Sequence, residues 1–426
     1  MKTRISIKLL AALTTLCLLL ALVAVGVSAV VSTDYEDYRN SLNSGLYFKD
    51  AEGGGAPEFK ILQFSDLNVG LFPYPATLMY IQAAIAATEP DLIVLTGDNT
   101  SKISSALGSL NPAVSWICDL FGDIPFTVIF GDEDALLPAG KDVLLRKYMG
   151  YSNCLAYDDE PTMAGVANHN LFIFNNEQAS RFAIFDQLAF NLWFLDTNTD
   201  GLYKDQVNWY RIREDNLISR STYVDSIPAM AFSHFPFPEI NYGNEFFDSI
   251  IDRPDGVYDQ TNSVNQYDAG VFNAMRDYDA VHTFVSGHYR LSRFERSTRL
   301  TFVKGMDAKQ FSADFLQTGG SGCKVPDASR GARLITLKLL SAGSSGVTST
   351  VDYTTEIISY DAALYSEDED AAAANALTAA AYRAGANTFF GPFASLLASV
   401  IPFGKARAAT AIAISRWFGS TFSFIS

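Results

Sequence analysis

Residues 91–99 read Asp-Leu-Ile-Val-Leu-Thr-Gly-Asp-Asn. A short apolar run, closed by a glycine and an acid, is the pattern of a buried strand that ends in a turn. Two other stretches repeat it. Phe59-Lys60-Ile61-Leu62-Gln63-Phe64 runs into Ser65-Asp66-Leu67-Asn68, and Phe126-Thr127-Val128-Ile129-Phe130 runs into Gly131-Asp132-Glu133-Asp134. Between them, 77–88 has helical periodicity and 114–121 suits a helix. This βαβαβ order predicts a largely parallel sheet with right-handed crossovers. Ligands of such sheets gather at the carboxyl ends of the strands.

Working outward, the pattern predicts a helix at 142–149 and strands at 171–175, 181–186 and 192–196. A helix at 204–219, a strand at 229–233, a helix at 269–277 and a strand at 281–286 follow. Strands at 299–304, 333–339 and 350–359 close the domain. Two of these strands also end in chemistry: 229–233 runs into His234-Phe235-Pro236, and 281–286 into Gly287-His288-Tyr289-Arg290. Carboxylate oxygen with imidazole nitrogen is the donor mixture for Zn, Mn or Fe. A single aspartate after a strand is more simply a turn or capping residue. Three at matched positions, joined by two histidines, point to a site.

The order Asp66…Asn68, Gly97-Asp98, Gly131-Asp132-Glu133-Asp134, His234, Gly287-His288-Tyr289-Arg290 resembles the D-x-H, G-D, G-N-H-D/E, H, G-H-x-H signature of calcineurin-like metallophosphoesterases. The surrounding text (FKILQFSDLNVG, PDLIVLTGDNT, IPFTVIFGDED, AFSHFPFPEI, FVSGHYR) resembles the branch related to purple acid phosphatases. The likeness runs from about residue 59 to about 340. It implies a four-layer α/β sandwich, two mixed sheets flanked by helices, with two metals bridged by Asp98. One metal would be held by Asp98, Asp132, His234 and His288. The other would take Asp66 and Asp98, but its remaining positions are changed. The histidine of D-x-H is Asn68, and the last histidine of G-H-x-H is Arg290, which stays protonated and cannot ligate. The histidine that assists the reaction in the family is Glu133. The resulting expectation is that Arg290 replaces one cation by its own charge, pairing with Asp66 and Glu133. One divalent metal (Zn, Mn or Fe), or none, would then remain per chain.

Composition sets limits. The 426 residues are 48% hydrophobic and 13% aromatic, which excludes a disordered chain. A net charge of −16 argues against nonspecific nucleic-acid binding and against a polybasic membrane surface. The four histidines are His169, His234, His282 and His288. His282, inside a predicted strand, reads as a core residue and His169 as a loop residue, neither with a metal role. Cys17 lies in an apolar segment, and Cys118, Cys154 and Cys323 allow at most one intrachain bridge. Asp196-Thr197-Asn198-Thr199-Asp200-Gly201 spells the start of a calcium loop. Val207 stands where its bidentate glutamate belongs, so a turn is the better reading. Asn99-Thr100-Ser101 spells a glycosylation sequon at the cleft, where occupancy is doubtful.

Lys2, Arg4 and Lys8 precede an uncharged stretch whose apolar core is Leu9 to Val31. It exceeds the length of about 7–15 residues of a signal-peptide core and suffices to span a bilayer. Length favours a signal-anchor; Val27-Ser28-Ala29 keeps cleavage open. Either way the bulk of the chain is expected on the lumenal or extracellular side, as a single-pass membrane protein or a secreted one. The expected organisation is a signal segment (1–33), a linker or stem (34–58), a phosphoesterase domain (59–362) and a tail (363–426). The tail is acidic, then alanine-rich and apolar. It would contact a membrane or pack on the domain, the latter preferred.

Two functional classes follow. The first is a catalytically impaired phosphoesterase whose cleft binds a phosphorylated small molecule or protein. The second is an active metal-dependent phosphate-ester hydrolase using one metal or an atypical pair. A membrane glycoprotein without metal is a third, weaker reading.

Overall fold

The computed structural model describes residues 43–359 except 135–139, 221–225, 241–250, 258–266, 292, 305–306, 323–329 and 344–346, together with residue 41 and parts of 395–417. The apolar segment 9–31, Cys17 and Cys323 lie outside the described residues. Among the described residues no helix is long and apolar enough to cross a membrane.

Strand β1 (Leu46–Tyr47) is followed by β2 (Glu58–Phe64), helix α1 (Pro75–Thr88), β3 (Leu92–Thr96), α2 (Pro112–Cys118), β4 (Phe126–Ile129) and α3 (Gly140–Met149). Then come β5 (His169–Phe174), β6 (Leu188–Leu195), β7 (Gly201–Leu202), α4 (Lys204–Arg220), β8 (Ala229–Ser233), β9 (Ile251–Val257), β10 (Tyr267–Asp268), α5 (Val271–Tyr278) and β11 (Val281–Ser286). β12 (Arg293–Lys304), β13 (Asp307–Gln317), β14 (Gly331–Ser341) and β15 (Thr350–Ser359) complete the strands. One sheet has the order β15-β14-β2-β3-β4 and a second β1-β5-β6-β8-β11-β13-β12-β9; β7 and β10 form a separate pair. The β2-β3-β4 and β6-β8-β11 ladders are parallel, so their carboxyl ends lie on one side of each sheet.

Each sheet has its own helices. Tyr80 and Ile81 of α1, Val114 and Trp116 of α2 and Leu144 and Tyr148 of α3 pack with Leu62, Ile93 and Val128 of the first sheet. Tyr210 and Leu217 of α4 and Phe272 and Met275 of α5 pack with Trp193, Phe284 and Phe315 of the second. The two sheets meet through a buried polar seam. Gln63 Nε2 donates to Thr96 Oγ1 at 2.9 Å, and Thr318 Oγ1 donates to Gln63 Oε1 at 2.6 Å. Arg333, fully buried, donates to Thr318 Oγ1, Gln317 O and Glu295 Oε1. These bonds tie β2 and β14 of one sheet to β13 and β12 of the other directly beneath the strand ends. Unmade, such buried bonds would each cost about 1–3 kcal/mol, so they hold the sheets in one register.

Several expectations need correction. The segment 181–186 is not a strand. A short helix spans Glu177–Arg181, capped by Asn176 Oδ1 accepting from Ala179 N, and a 3₁₀ turn spans Phe185–Gln187. Its apolar run is too short for periodicity to tell turn from strand. The two peripheral histidines exchange roles. His169 is fully buried in β5, with Thr127 Oγ1 2.7 Å from its Nε2, whereas the His282 side chain is about half exposed and stacks on Phe311. Strand residues alternate faces, and the sequence does not say which face is covered. Within 34–58, Leu46–Tyr47 pair in parallel with Ile173–Phe174, and Phe48 is buried. Asp196 is held by Lys141 Nζ at 2.8 and 2.9 Å, so an ammonium sits where a calcium loop would need its first ligand. Asn99 is buried and donates to Ile129 O, which closes the sequon to modification. Cys118 and Cys154 are free thiols. In the tail, Ala398, Ala411 and Ile412 join the core of the first sheet's helix layer. Arg407 lies 4.5 Å over the Trp116 ring and pairs with Asp119 at 3.1 Å.

Candidate metal centre

All the predicted site residues stand at strand carboxyl ends. Asp66 and Asn68 follow β2, Asp98 follows β3, Asp132 and Glu133 follow β4, His234 follows β8, and His288 and Arg290 follow β11. The turns are tight. Asp66, Asn68, Asp98 and His288 adopt left-handed φ values of 52°, 51°, 50° and 69°. Gly97 has φ +92°, and a Cβ there would lie 2.5 Å from His234 Nδ1; at Gly131 a Cβ would collide with Asp98 Oδ1. Only glycine lets the Asp98 and His234 side chains lie this close to the backbone.

Asp98, Asp132, His234 and His288 each present one ligand atom, all within 4.8 Å of one another. Asp132 Oδ1 lies 3.5 Å from His234 Nε2 and 3.5 Å from His288 Nδ1, and Asp98 Oδ1 lies 3.6 Å from His234 Nε2. Asp132 Oδ1 is buried without a hydrogen-bond partner. His234 Nδ1 is 2.8 Å from the Thr96 carbonyl. A proton on Nδ1 satisfies that carbonyl and leaves the Nε2 lone pair directed into the cluster, the arrangement of a metal-ligating histidine. Two carboxylates and two imidazoles converging on one point, one oxygen orphaned, fit a divalent transition metal.

The charges agree. Burial pushes the Asp98 carboxyl up, while contact with His234 and His288 holds Asp132 well below the usual carboxylate range. Burial alone would lower His234, but Asp98, Asp132 and Asp66 outweigh it and lift the imidazole to about 10, so Nε2 carries a proton that a bound metal would have to displace. Phe235 closes one side, its ring centroid 3.9 Å from that of His288.

Arg290 occupies the other half. Its Nε donates to Asp66 Oδ1 at 3.2 Å, and its Nη2 to Asp98 Oδ2 at 3.1 Å, Glu133 Oε1 at 2.9 Å and Asn68 Oδ1 at 3.4 Å. Burial opposes its charge, but Glu133 and Asp66 outweigh burial and raise its pKa further. Asp66, fully buried, also accepts from Ser65 Oγ and His288 N. The structure therefore gathers Asp98, Asp132, His234 and His288 at one point, and places Asp66, Asn68 and Glu133 around Arg290 beside it.

The model of the calcineurin-like phosphoesterase family matches residues 59–290, more than half of the chain. The chain belongs to this family. Among curated relatives, "Probable inactive purple acid phosphatase 14" of Arabidopsis thaliana is 25% identical over 280 residues, 55% of this chain and 66% of that protein. "Probable inactive purple acid phosphatase 29" of the same plant is 25% identical over 274 residues, 56% of this chain and 68% of its own. The chain thus spans about two thirds of the length of these relatives. Among solved structures, a purple acid phosphatase from yellow lupin (Lupinus luteus) seeds superposes with a TM-score of 0.34. It has 10% identity over 73% of this chain and 56% of that one.

Asp134 is a residue that the motif reading passed over in this phosphoesterase. Fully buried, it accepts from Gly131 N and Thr100 N, both at 2.9 Å, and so clamps the β4 loop to the β3 loop. Burial, then Asp98, pushes its carboxyl up to about 7. Its place as the last residue of Gly131-Asp132-Glu133-Asp134 was the available signal.

Proposed function

We propose that this phosphoesterase holds one divalent metal (Zn, Mn or Fe) on Asp98, Asp132, His234 and His288. Its cleft binds a phosphorylated small molecule or protein without efficient turnover. The observation that carries the reading is the guanidinium of Arg290, bonded to Asp66, Asn68, Asp98 and Glu133. A fixed cation among these groups repels a second divalent ion. When bound, the metal supplies Lewis-acid polarisation of a phosphoryl oxygen. Arg290, 30% exposed at its side chain, adds planar donors suited to phosphate. Glu133 Oε1 accepts from Arg290 and so has no proton to give a leaving group from that oxygen. His234 and Asp134 orient the cluster and the loops that carry it. The names of the Arabidopsis relatives, which describe them as probable inactive phosphatases, support the same reading.

Metal content of the purified full chain, by elemental mass spectrometry, tests the metal count. About one ion per chain is expected from the four-residue cluster found among the described residues. Two would overturn the role given to Arg290, and none would leave a metal-free binding protein. Phosphomonoester hydrolysis that is lost in His234→Ala would establish the active hydrolase instead. We also propose that residues 1–33 direct the chain into the secretory pathway. The bulk would then be lumenal or extracellular, and protease protection in microsomes reads this directly.

A further inference from the structure

The balance of charge at the metal centre narrows the class of ligand. Arg290 is bonded to the carboxylates of Asp66, Asp98 and Glu133 at 3.2, 3.1 and 2.9 Å, and Asp132 stands beside them in the four-residue cluster. One guanidinium and one divalent ion would offset three of these four negative charges and leave the fourth. Asp132 and Glu133 stand where the family pattern has asparagine and histidine, so both exchanges add negative charge.

Exposure says where a ligand meets that charge. The Asp66 and Asp98 side chains are 0% and 1% exposed, whereas Asp132 is 33%, Glu133 22% and Arg290 30% exposed. The accessible part of the centre is therefore one base beside two acids. Nε and Nη2 of Arg290 are committed to protein acceptors, but Nη1 makes no hydrogen bond among the described residues. Its two N–H groups are left for an incoming anion. An anion seated there lies close to Glu133, whose Oε1 is 2.9 Å from Nη2. A phosphate with no positive charge of its own meets the Glu133 and Asp132 carboxylates unopposed, on a molecule that carries −16. A phosphate ester with an ammonium group brings the missing charge with it.

Resting on the phosphate reading of the cleft, we propose that the ligand is a zwitterionic phosphate ester. Its phosphate takes the Nη1 donors of Arg290, and its cationic amine lies against Glu133 and Asp132. Opposite charges set side by side in the cleft select a ligand built the same way and turn away a plain anion.

The test is isothermal titration calorimetry of the full chain at about pH 7 with three probes. They are O-phosphoethanolamine, propyl phosphate, which replaces the ammonium by a methyl group, and ethanolamine, which lacks the phosphate. O-Phosphoethanolamine is expected to bind at least about tenfold tighter than propyl phosphate, and Glu133→Gln to shrink that ratio below about threefold. The ratio compares two ligands on one protein, so a change in folding or metal content moves both affinities together. Should the variant not fold, the parent's ratio decides alone. Equal binding of the two esters, or tighter binding of propyl phosphate, would overturn the inference and leave the phosphate reading standing. Ethanolamine bound as tightly as O-phosphoethanolamine, or no binding of either ester, would overturn both. A phosphoserine peptide flanked by arginine, set against one flanked by alanine, repeats the comparison for a protein source, and the zwitterion that binds more tightly names the source.

Discussion

Replacing Arg290 by alanine should both weaken the fold and open the site to a second cation. The guanidinium compensates three carboxylates, at 3.2 Å for Asp66, 3.1 Å for Asp98 and 2.9 Å for Glu133. The Asp66 and Asp98 side chains are 0% and 1% exposed, so water cannot take over the guanidinium's role for them. Removing one partner of a fully buried pair costs about 3–5 kcal/mol. Arg290 is itself 30% exposed, and Asp66 keeps its bonds from Ser65 Oγ and His288 N. These facts bring the expected loss to about 2–3 kcal/mol. In a domain of about 300 residues that corresponds to a fall of about 3–5 °C in Tm. The assay is thermal unfolding of Arg290→Ala in metal-free buffer and again with millimolar Mn or Zn, with bound metal counted in parallel. Added metal should restore much of the loss and raise the count above the parent's. Arg290→Lys, which keeps the charge but not the fork, should fall between the two. A Tm within about 1 °C of the parent, with an unchanged metal count, would refute the argument that Arg290 stands in for an ion.

Three further outcomes are expected. Chelation should lower the Tm of the parent but not of His234→Ala, because a metal at about 100 times its Kd contributes about 2.7 kcal/mol; equal shifts in both proteins would exclude this cluster as the binding point. Restoring the family's histidines together, as Asn68→His, Glu133→His and Arg290→His, should double the bound metal and raise phosphomonoester hydrolysis by at least about 100-fold; a metal count that stays put would defeat this. Burial raises Glu214 in α4 to about 8, above its unfolded value of 4.5. The folded chain therefore binds the extra proton, and stability is full below about 4.5 and falls by on the order of 4 kcal/mol as pH climbs to about 8. Glu214→Gln should flatten that slope in denaturant titrations between pH 5 and 9, and a slope identical to the parent's would discount the residue.

The strands that carry the site were readable because each is short, apolar and closed by a turn residue, as in Leu92–Thr96 before Gly97-Asp98. What escaped the sequence is long-range or depends on the face presented. β13 pairs with β12 from Phe294↔Gln317 to Lys304↔Asp307, but its polar alternation resembles loop as much as strand. β9 was missed as well, since Ile251–Val257 includes a proline and a glycine. His169 was misplaced because its strand begins two residues before the expected 171 and is covered on both faces, and His282 because pleat direction is set by the partner sheet. In the site, residue types and order were legible, but the four bonds of Arg290 were not. They join positions 157 to 224 residues apart in the chain, and no local pattern encodes them.

The left-handed backbone at Asp66, Asn68, Asp98 and His288 sets a local cost against the site. Side chains at such φ values cost of order 1–2 kcal/mol each, asparagine and aspartate less than histidine. Glycine at any of the four positions would relieve that cost but would also remove the side chain, so each position presents its group to the site against the backbone's own preference.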